Sequence, residues 1–259
     1  MRWLRLLAMA LFVSAAALAV VPSVVAVPAD RVTASPPIPA ASAAGDLVSS
    51  GRALYLTHCQ TCHGAEAEGS GIGPSLHGVG AAAADFMLRT GRMPFSGATN
   101  SQPVRKPPAF DEQAIRALVA YVASLGNGPA IPSPTVDQNL VSKGQRLFVE
   151  NCAPCHGVTG KGGAVGGGWL APPLDKATPV QVDEAMIIGP GQMPFFSDLS
   201  DAQRNAVVSY VSYLQGAPTP GGFSIGGIGP VPEGYAAWLV GLVLLLIITL
   251  LVARDWKPN

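Results

Sequence analysis

The sequence predicts an all-α protein: two similar helical domains in tandem, a transmembrane helix after them and an N-terminal signal or anchor helix before them. Three observations support this fold class. Two central units carry the same helical pattern, offset by 93 positions. No segment between their helices shows the regular apolar and polar alternation of a half-buried strand. An apolar run without charged residues lies towards each end of the chain.

The charge composition separates this chain from ordinary soluble domains. Of its 259 residues, 49% are hydrophobic and only 12% are charged, whereas soluble domains contain roughly 25% charged residues. Sixteen basic and sixteen acidic side chains give a formal net charge of zero. Because binding to nucleic acid phosphates requires a basic surplus, nucleic acid is not expected as a partner.

The N-terminal segment, residues 1–27, has the features of an export signal. Arg2 and Arg5 precede an apolar stretch that continues to Val27 without another charge. A basic start followed by an apolar segment is typical of signal peptides, although this stretch is long for one. Cleavage as a signal peptide and retention as a transmembrane anchor both remain open. In either case the residues after Pro28 are expected outside the cytoplasm.

The apolar run at residues 235–253 predicts a transmembrane helix. Its 19 residues span roughly 28 Å as a helix, close to the roughly 30 Å of a hydrocarbon core. Tyr235 and Trp238 lie at one end, and Arg254 and Lys257 follow the other end. Since cytoplasmic flanks are enriched in basic residues, the C-terminus is expected in the cytoplasm. The bulk of the protein is then expected on the extracytoplasmic side of the cell membrane.

Segments rich in proline and small residues divide the chain. Such segments bury little apolar area and favour extended conformations, so they are interpreted as linkers. The predicted organisation is a signal peptide or N-terminal transmembrane helix at 1–27, a linker at 28–44, a first domain at 45–126, a linker at 127–138, a second domain at 139–216, a linker at 217–234, a transmembrane helix at 235–253 and a cytoplasmic tail at 254–259.

Each domain is predicted to begin and end with a helix. The first helix carries apolar residues and a glycine at the i, i+4, i+7, i+8 spacing of one helical face. These positions are Leu47, Gly51, Leu54 and Tyr55 in the first domain and Leu140, Gly144, Leu147 and Phe148 in the second. A glycine on that face allows another helix to approach closely, despite its low helix propensity. The closing helices begin at Asp111 and at Ser200, where Gln203 completes a capping-box pattern.

Both domains contain the sequence C-x-x-C-H directly after the first helix. It comprises Cys59, Cys62 and His63 in one domain and Cys152, Cys155 and His156 in the other. C-x-x-C-H is the attachment sequence of c-type haem, in which the two thiols bind the vinyl groups and the histidine binds the iron. A four-thiolate zinc site, a thioredoxin-like redox pair and disulfides within each C-x-x-C are the alternatives. The zinc site leaves the placement of each pair in its own repeat unexplained, and the disulfides leave the histidines unexplained. A thioredoxin-like pair is expected near a βαβ pattern, which the sequence does not show.

A repeated phrase supplies the candidate for the sixth iron ligand. Met93 lies in Gly-Arg-Met-Pro-Phe and Met193 in Gly-Gln-Met-Pro-Phe. A residue before proline is biased towards an extended conformation, so each methionine is expected on a loop that presents its sulfur. A thioether opposite histidine raises the reduction potential and occupies the position where oxygen would bind. Met87, Met186 and His77 lack this repeated context and are interpreted as structural residues.

The glycine-rich segment at residues 160–169 does not match a nucleotide-binding motif. It is neither a P-loop nor a G-x-G-x-x-G sequence that follows a strand. It is interpreted as a flexible loop over the edge of the second haem.

Each half of the chain resembles a class I cytochrome c domain. The resemblance comprises the N-terminal helix, C-x-x-C-H, a Gly-Pro-x-Leu element, the methionine loop and the C-terminal helix. It implies that Pro74 and Pro172 offer backbone carbonyls to the Nδ1–H groups of His63 and His156. The second half departs in one respect, because its histidine and methionine are 37 positions apart rather than 30.

The whole chain resembles the dihaem cytochrome c subunit of the actinobacterial cytochrome bc complex. This resemblance implies two covalently bound haem c groups. It also implies cytochrome b and Rieske iron–sulfur subunits as partners, within a proton-translocating quinol–cytochrome c reductase. In that family the subunit passes electrons from the Rieske protein to a cytochrome aa3-type oxidase in a supercomplex.

The sequence thus predicts a membrane-anchored dihaem relay of the respiratory chain that performs no bond-breaking chemistry itself. Two alternatives in the same class are a cytochrome subunit of a cbb3-type oxidase and one of a membrane dehydrogenase. Two others, a dihaem peroxidase and a haem-based gas sensor, would each need an iron with an open coordination position.

Overall fold

The computed structural model describes residues 42–97, 101–216 and 230–255. The predicted N-terminal signal or anchor helix lies outside these ranges, as do most of the linker at 28–44 and most of the linker at 217–234. The described residues confirm the predicted fold class, since they form two mostly helical domains and one long C-terminal helix.

The first domain contains four helices in the described residues. They are α1 (Ser42–His58), α2 (Gln60–His63), α3 (Gly80–Arg89) and α4 (Glu112–Ser124). Helix α4 begins where the sequence predicts it, because Asp111 is its N-cap and accepts a hydrogen bond of 2.8 Å from the backbone amide of Ala114. This bond satisfies one of the amides that have no partner inside the helix.

The second domain repeats this order and adds two strands. A 3-10 turn (Gln138–Leu140) leads into α5 (Val141–Asn151), which is followed by α6 (Ala153–His156), β1 (Gly163–Gly166), β2 (Trp169–Ala171), α7 (Pro179–Ile188) and α8 (Asp201–Gly216). A complete capping box begins α7, with Thr178 and Gln181 as its members. At Ser200 only half of the predicted box forms, because the Gln203 side chain accepts from the Ser200 amide without the reciprocal bond.

The first and last helices of each domain pack against each other through the predicted glycines. A Cβ atom at Gly51 would overlap the backbone oxygen of Ala117, and one at Gly144 would overlap that of Ala206. Tyr55 and Phe148, one turn further along, are fully buried in the two cores. The glycine-mediated contact that the sequence predicts is therefore confirmed in both domains.

The glycine-rich segment corrects one expectation. Residues 160–169 were interpreted as part of a flexible loop, but β1 and β2 pair antiparallel there, with Gly163 opposite Ala171. The side chain of Gln102, in the first domain, accepts from the Leu170 amide (2.9 Å) and donates to the Leu170 oxygen (2.6 Å). Such a two-bond contact imitates one step of a β-ladder, and it fixes the hairpin against the first domain.

The two domains contact each other through α3 and α7. They belong to one unit of the chain, residues 39–259. The linker between them, which is predicted to be extended, is bonded to both. The Pro129 oxygen accepts from Ala82 in the first domain (3.0 Å), and the Thr135 and Asp137 amides donate to side chains of α8.

The C-terminal helix α9 (Pro230–Asp255) begins within the predicted linker and continues through the predicted membrane span. Its segment Gly234–Arg254 is 21 residues long and apolar enough to cross a membrane, and none of it is buried against the rest of the chain. An apolar helix that packs on no domain requires another apolar environment.

Candidate haem sites

The two C-x-x-C-H sequences fold into the same backbone turn. In the first domain the amides of Cys59 and His63 bond to the oxygens of Tyr55 (2.8 Å) and Cys59 (3.0 Å). In the second domain the amides of Cys152 and His156 make the equivalent bonds, both of 2.8 Å. Each turn therefore continues from the buried aromatic residue of the first helix, and this contact sets the position of the cysteines and the histidine.

Each histidine of these turns has a carbonyl partner on its Nδ1 atom. His63 Nδ1 lies 2.7 Å from the Pro74 oxygen, and His156 Nδ1 lies 3.0 Å from the Pro172 oxygen. A carbonyl can only accept, so Nδ1 carries the proton in both rings. The Nε2 lone pair is then available to bind a metal, and the ring cannot rotate without losing the bond.

The environment of His156 keeps its imidazole neutral. Burial lowers the pKa of His156, and the bond to Pro172 only partly offsets this effect. A neutral imidazole is the form that ligates iron, since a protonated ring has no free lone pair.

All four cysteines lie in the described residues, and none of them is in a disulfide. Burial raises the pKa of the Cys59 and Cys152 thiols to about 11. Cys59 and Cys62 are both half-buried, whereas in the second motif Cys152 is buried and Cys155 is exposed. In both motifs the thiols therefore lie at the boundary between the core and the surface.

In the second domain the predicted site residues line one cavity. Cys152, Cys155, His156, Pro172 and Met193 all contribute to its wall. Most of the other lining side chains are apolar, among them Phe148, Trp169, Val182, Val207 and Val211. An apolar cavity with two thiols, a neutral imidazole and a thioether matches the donor set of a covalently attached, His–Met-ligated haem.

In the first domain two of the predicted site residues lie against the corresponding core. Cys59 and Met93 pack against the same buried cluster, to which Tyr55 and Leu118 belong. The Tyr55 hydroxyl donates to the Gly64 oxygen at 2.6 Å, directly after the C-x-x-C-H turn. His77 Nε2 donates to the Glu66 oxygen at 2.8 Å, as a structural residue would.

Backbone bonds position both methionine loops. The Met93 amide donates to the Met87 oxygen, and the Met193 amide donates to the Pro190 oxygen, both at 3.1 Å. The extra length of the second repeat has an identifiable place. His63 and Pro74 are 11 positions apart, whereas His156 and Pro172 are 16 apart, so five of the seven additional residues lie where the hairpin forms.

Sequence reasoning missed two groups of residues at the boundary between the domains. Arg92 and Arg105, from the first domain, line the cavity of the second domain. A buried acidic group, Asp85 and Glu184, lies between α3 and α7. For Arg92 a signal existed, because it precedes Met93 where the second repeat has Gln192. Nothing in the sequence distinguishes the two acidic residues from surface residues of amphipathic helices.

Comparison with known proteins agrees with this geometry. The cytochrome c family matches residues 48–126, and the family of cytochrome c oxidase, cbb3-type, subunit III matches residues 139–211. The "Cytochrome bc1 complex cytochrome c subunit" of Mycobacterium tuberculosis is 43% identical over 76% of this chain and 74% of its own length. The protein of the same name from Corynebacterium diphtheriae is 39% identical, over 77% and 78% of the two chains.

A more distant relative represents the main alternative. The cbb3-type cytochrome c oxidase subunit CcoP of Azospirillum is 33% identical over 66% of this chain and 64% of its own length. Two cytochrome c domains imply two covalently bound haem c groups. On the identity and coverage of the mycobacterial and corynebacterial relatives, the chain belongs to the family of cytochrome bc1 complex cytochrome c subunits.

Proposed function

We propose that this protein is a membrane-anchored dihaem electron relay and the electron-transfer subunit of a quinol–cytochrome c reductase. It receives electrons from a Rieske iron–sulfur subunit beside cytochrome b, and it delivers them to a cytochrome aa3-type oxidase in a supercomplex. The chain itself breaks no bond, and proton translocation belongs to the whole complex. The observation that carries the proposal is the same His–carbonyl contact after each C-x-x-C-H, in a member of this family.

The proposed ligand sets follow from the two repeats. Cys59 and Cys62 attach the first haem, and Cys152 and Cys155 attach the second. His63 and His156 bind the irons through Nε2, since Nδ1 is already bonded to Pro74 and Pro172. Met93 and Met193 supply the sixth ligands from their loops.

Haem c, when bound, supplies an iron that accepts and releases one electron at a time. This chain would hold each iron in one coordination geometry, so that little structural rearrangement accompanies the gain or loss of an electron. The prolyl carbonyls fix the histidine rings. The methionine sulfurs would bind each iron from the methionine loops and so keep oxygen from binding to it. The buried aromatic and aliphatic side chains keep water away from the porphyrin face.

The orientation of the chain in the membrane is also proposed. Arg254 and Lys257 follow the apolar segment, and basic flanks favour the cytoplasmic side. Both haem domains then lie on the extracytoplasmic side, where haem is attached to C-x-x-C-H sequences and where a Rieske domain can reach them. A protease added to intact spheroplasts should cleave the domains and spare the C-terminal tail.

Purification of the native protein in mild detergent, with identification of every companion chain, tests the proposed function. Cytochrome b, a Rieske protein and aa3-type oxidase subunits are the expected companions. Recovery with a cbb3-type oxidase or a dehydrogenase, without cytochrome b and the Rieske protein, would contradict the proposal. Ready binding of carbon monoxide by the reduced native protein would favour a peroxidase or gas sensor, because both need an open iron position.

A further inference from the structure

The charged residues in the cavity of the second domain come from the first domain. Arg92 precedes Met93 in the first methionine loop, and Arg105 lies in the segment that leads to α4. Among the lining residues there is no aspartate, glutamate or lysine. Two half-buried arginines thus contribute to the wall of a mostly apolar cavity whose lining contains no acidic side chain.

The guanidinium of Arg92 lacks a partner for part of its hydrogen-bonding capacity. Its Cζ atom lies 5.0 Å from the ring centroid of Phe86, a cation–π contact that leaves the N–H groups unused. Within the described residues, Nη1 is buried and has no hydrogen-bond partner. A buried donor of a cation that has no partner is destabilising unless an anion compensates it.

Arg105 is fixed where it can face the same space. Its Nη2 atom donates to the Gln181 side chain of α7 at 2.8 Å, across the domain boundary. Burial lowers the pKa of Arg105, while the exposed Asp175 favours the charged form of Arg105. Gln102, three residues earlier, holds the hairpin of the second domain. The segment that carries Arg105 is therefore anchored to the second domain at two points.

We propose that Arg92 and Arg105 bind the two carboxylate groups of the haem held in the second domain. Haem c carries two propionate side chains, and these are its only charged peripheral groups once its vinyl groups are bonded to cysteine. Two guanidiniums match two carboxylates in number and sign, and arginine pairs with carboxylate in a bidentate geometry. The first domain thereby completes the binding site of the second haem. The inference rests on haem attachment in the second domain and not on the electron-transfer partners.

The pairing has a consequence for the reduction potential. Reduction adds one negative charge to the haem, and a nearby cation stabilises the reduced state. Loss of either guanidinium should therefore lower the midpoint potential of the second haem. It should also raise the pKa of the freed propionate, so that this potential decreases with rising pH in the neutral range.

A redox titration of the purified full-length protein, monitored in the visible haem bands, tests the proposal. The component that shifts in a Met193→His variant identifies the second haem. Arg92→Gln and Arg105→Gln should each lower the midpoint potential of that component and leave the potential of the other unchanged. Arg92→Lys and Arg105→Lys should restore most of the native potential. Arg116→Gln is the matched control, since Arg116 lies exposed on α4 of the same domain.

Three results would overturn the proposal. They are an unchanged potential of the second haem in both glutamine variants, an equal shift of both haems, and a change that the control variant shares. If the glutamine variants do not accumulate, Arg92→His and Arg105→His decide the matter, because the imidazole loses its charge as the pH rises through about 6.5 and the potential of the second haem should then decrease. A purely structural role would leave that dependence as in the native protein. None of these readouts depends on quinol oxidation, so failure here is distinguishable from failure of the proposed function.

Discussion

The carboxyl group of Glu184 in α7 lies beside that of Asp85 in α3, at the contact between the two domains. Glu184 is fully buried, and within the described residues its oxygens have no hydrogen-bond donor. Burial and the charge of Asp85 are the main causes that raise the pKa of Glu184, while Arg89 acts in the opposite direction and Asp183 adds to the increase. A protonated Glu184 can donate to Asp85, whereas two charged carboxylates would repel each other.

This relationship predicts how stability depends on pH. The native pKa of Glu184, about 9, lies above the ordinary value of 4.5, so the folded state holds a proton that the unfolded state loses. The contribution of Glu184 to stability is then largest below pH 4.5, decreases as the pH rises through this interval and is lost above about 9. Glu184→Gln should be more stable than the native protein at neutral and alkaline pH. Thermal unfolding across this range measures the effect.

The control for Glu184 is Glu150→Gln, which removes the same charge from an exposed position in α5. It should leave the pH dependence as in the native protein. A Glu184→Gln protein that loses stability at alkaline pH as steeply as the native one would contradict the prediction.

The glycine contacts between the first and last helices predict a large effect from a small substitution. Gly51→Ala and Gly144→Ala each place a methyl group against the backbone of the opposite helix, so each should destabilise its domain by about 1–3 kcal/mol through overpacking. Gly45→Ala, in the same helix as Gly51 but with open space around it, should instead be neutral or stabilise by up to about 1 kcal/mol. Denaturant unfolding of the three variants measures their free energies of unfolding. Equal changes in all three would show that helix propensity alone determines the effect of the substitutions.

The axial role proposed for the two methionines predicts a spectroscopic loss. Met93→Leu and Met193→Leu should each remove about half of the sulfur-to-iron absorption band of the oxidised protein, because one of two thioether ligands is gone. Met87→Leu is the matched control, since Met87 lies six residues before Met93 and lines the cavity of the second domain without being a proposed iron ligand. Retention of the full band in the Met93 or Met193 variant would assign the sixth ligand to another residue.

The contact between Gln102 and the hairpin predicts a local change in hydrogen exchange. Gln102→Ala removes both hydrogen bonds to Leu170. Since each is worth about 1 kcal/mol, exchange at the Leu170 amide should accelerate by roughly 30-fold. Gln113→Ala, at an exposed position of α4, is the control. Mass spectrometry of peptides that span residues 163–171 measures both variants, and unchanged exchange would mean that the hairpin is held by other contacts.

Much of the fold follows from sequence because the two repeats constrain each other. Gly51 and Gly144 are recognisable as helix contacts, since a glycine recurs on the same apolar face where alanine would form a better helix. The helix start at Asp111 is predictable because its cap is local. The Pro74 and Pro172 contacts follow from the family resemblance and not from spacing, since no rule of local structure pairs a histidine with a carbonyl 11 or 16 residues away.

The features that sequence reasoning missed are those decided by distant contacts. Glycine disfavours strands, so the hairpin could not be predicted from residues 160–169, and its support comes from Gln102, 68 residues earlier. Carboxylates are seldom buried, so Asp85 and Glu184 would be placed on the surface by composition alone. Arg92 differs from Gln192 at the same place in the second repeat, but its position in the wall of the second domain's cavity depends on how the two domains pack.

The linker between the domains has a kinetic consequence. Pro129 is bonded to the first domain, and the amides of Thr135 and Asp137 are bonded to the second. The linker therefore holds the two domains together, and they rotate in solution as one body. Electron transfer between the two haems then needs no diffusional encounter, so its rate should be independent of solvent viscosity. Steps that depend on the arrival of a separate mobile carrier should instead slow as the viscosity rises.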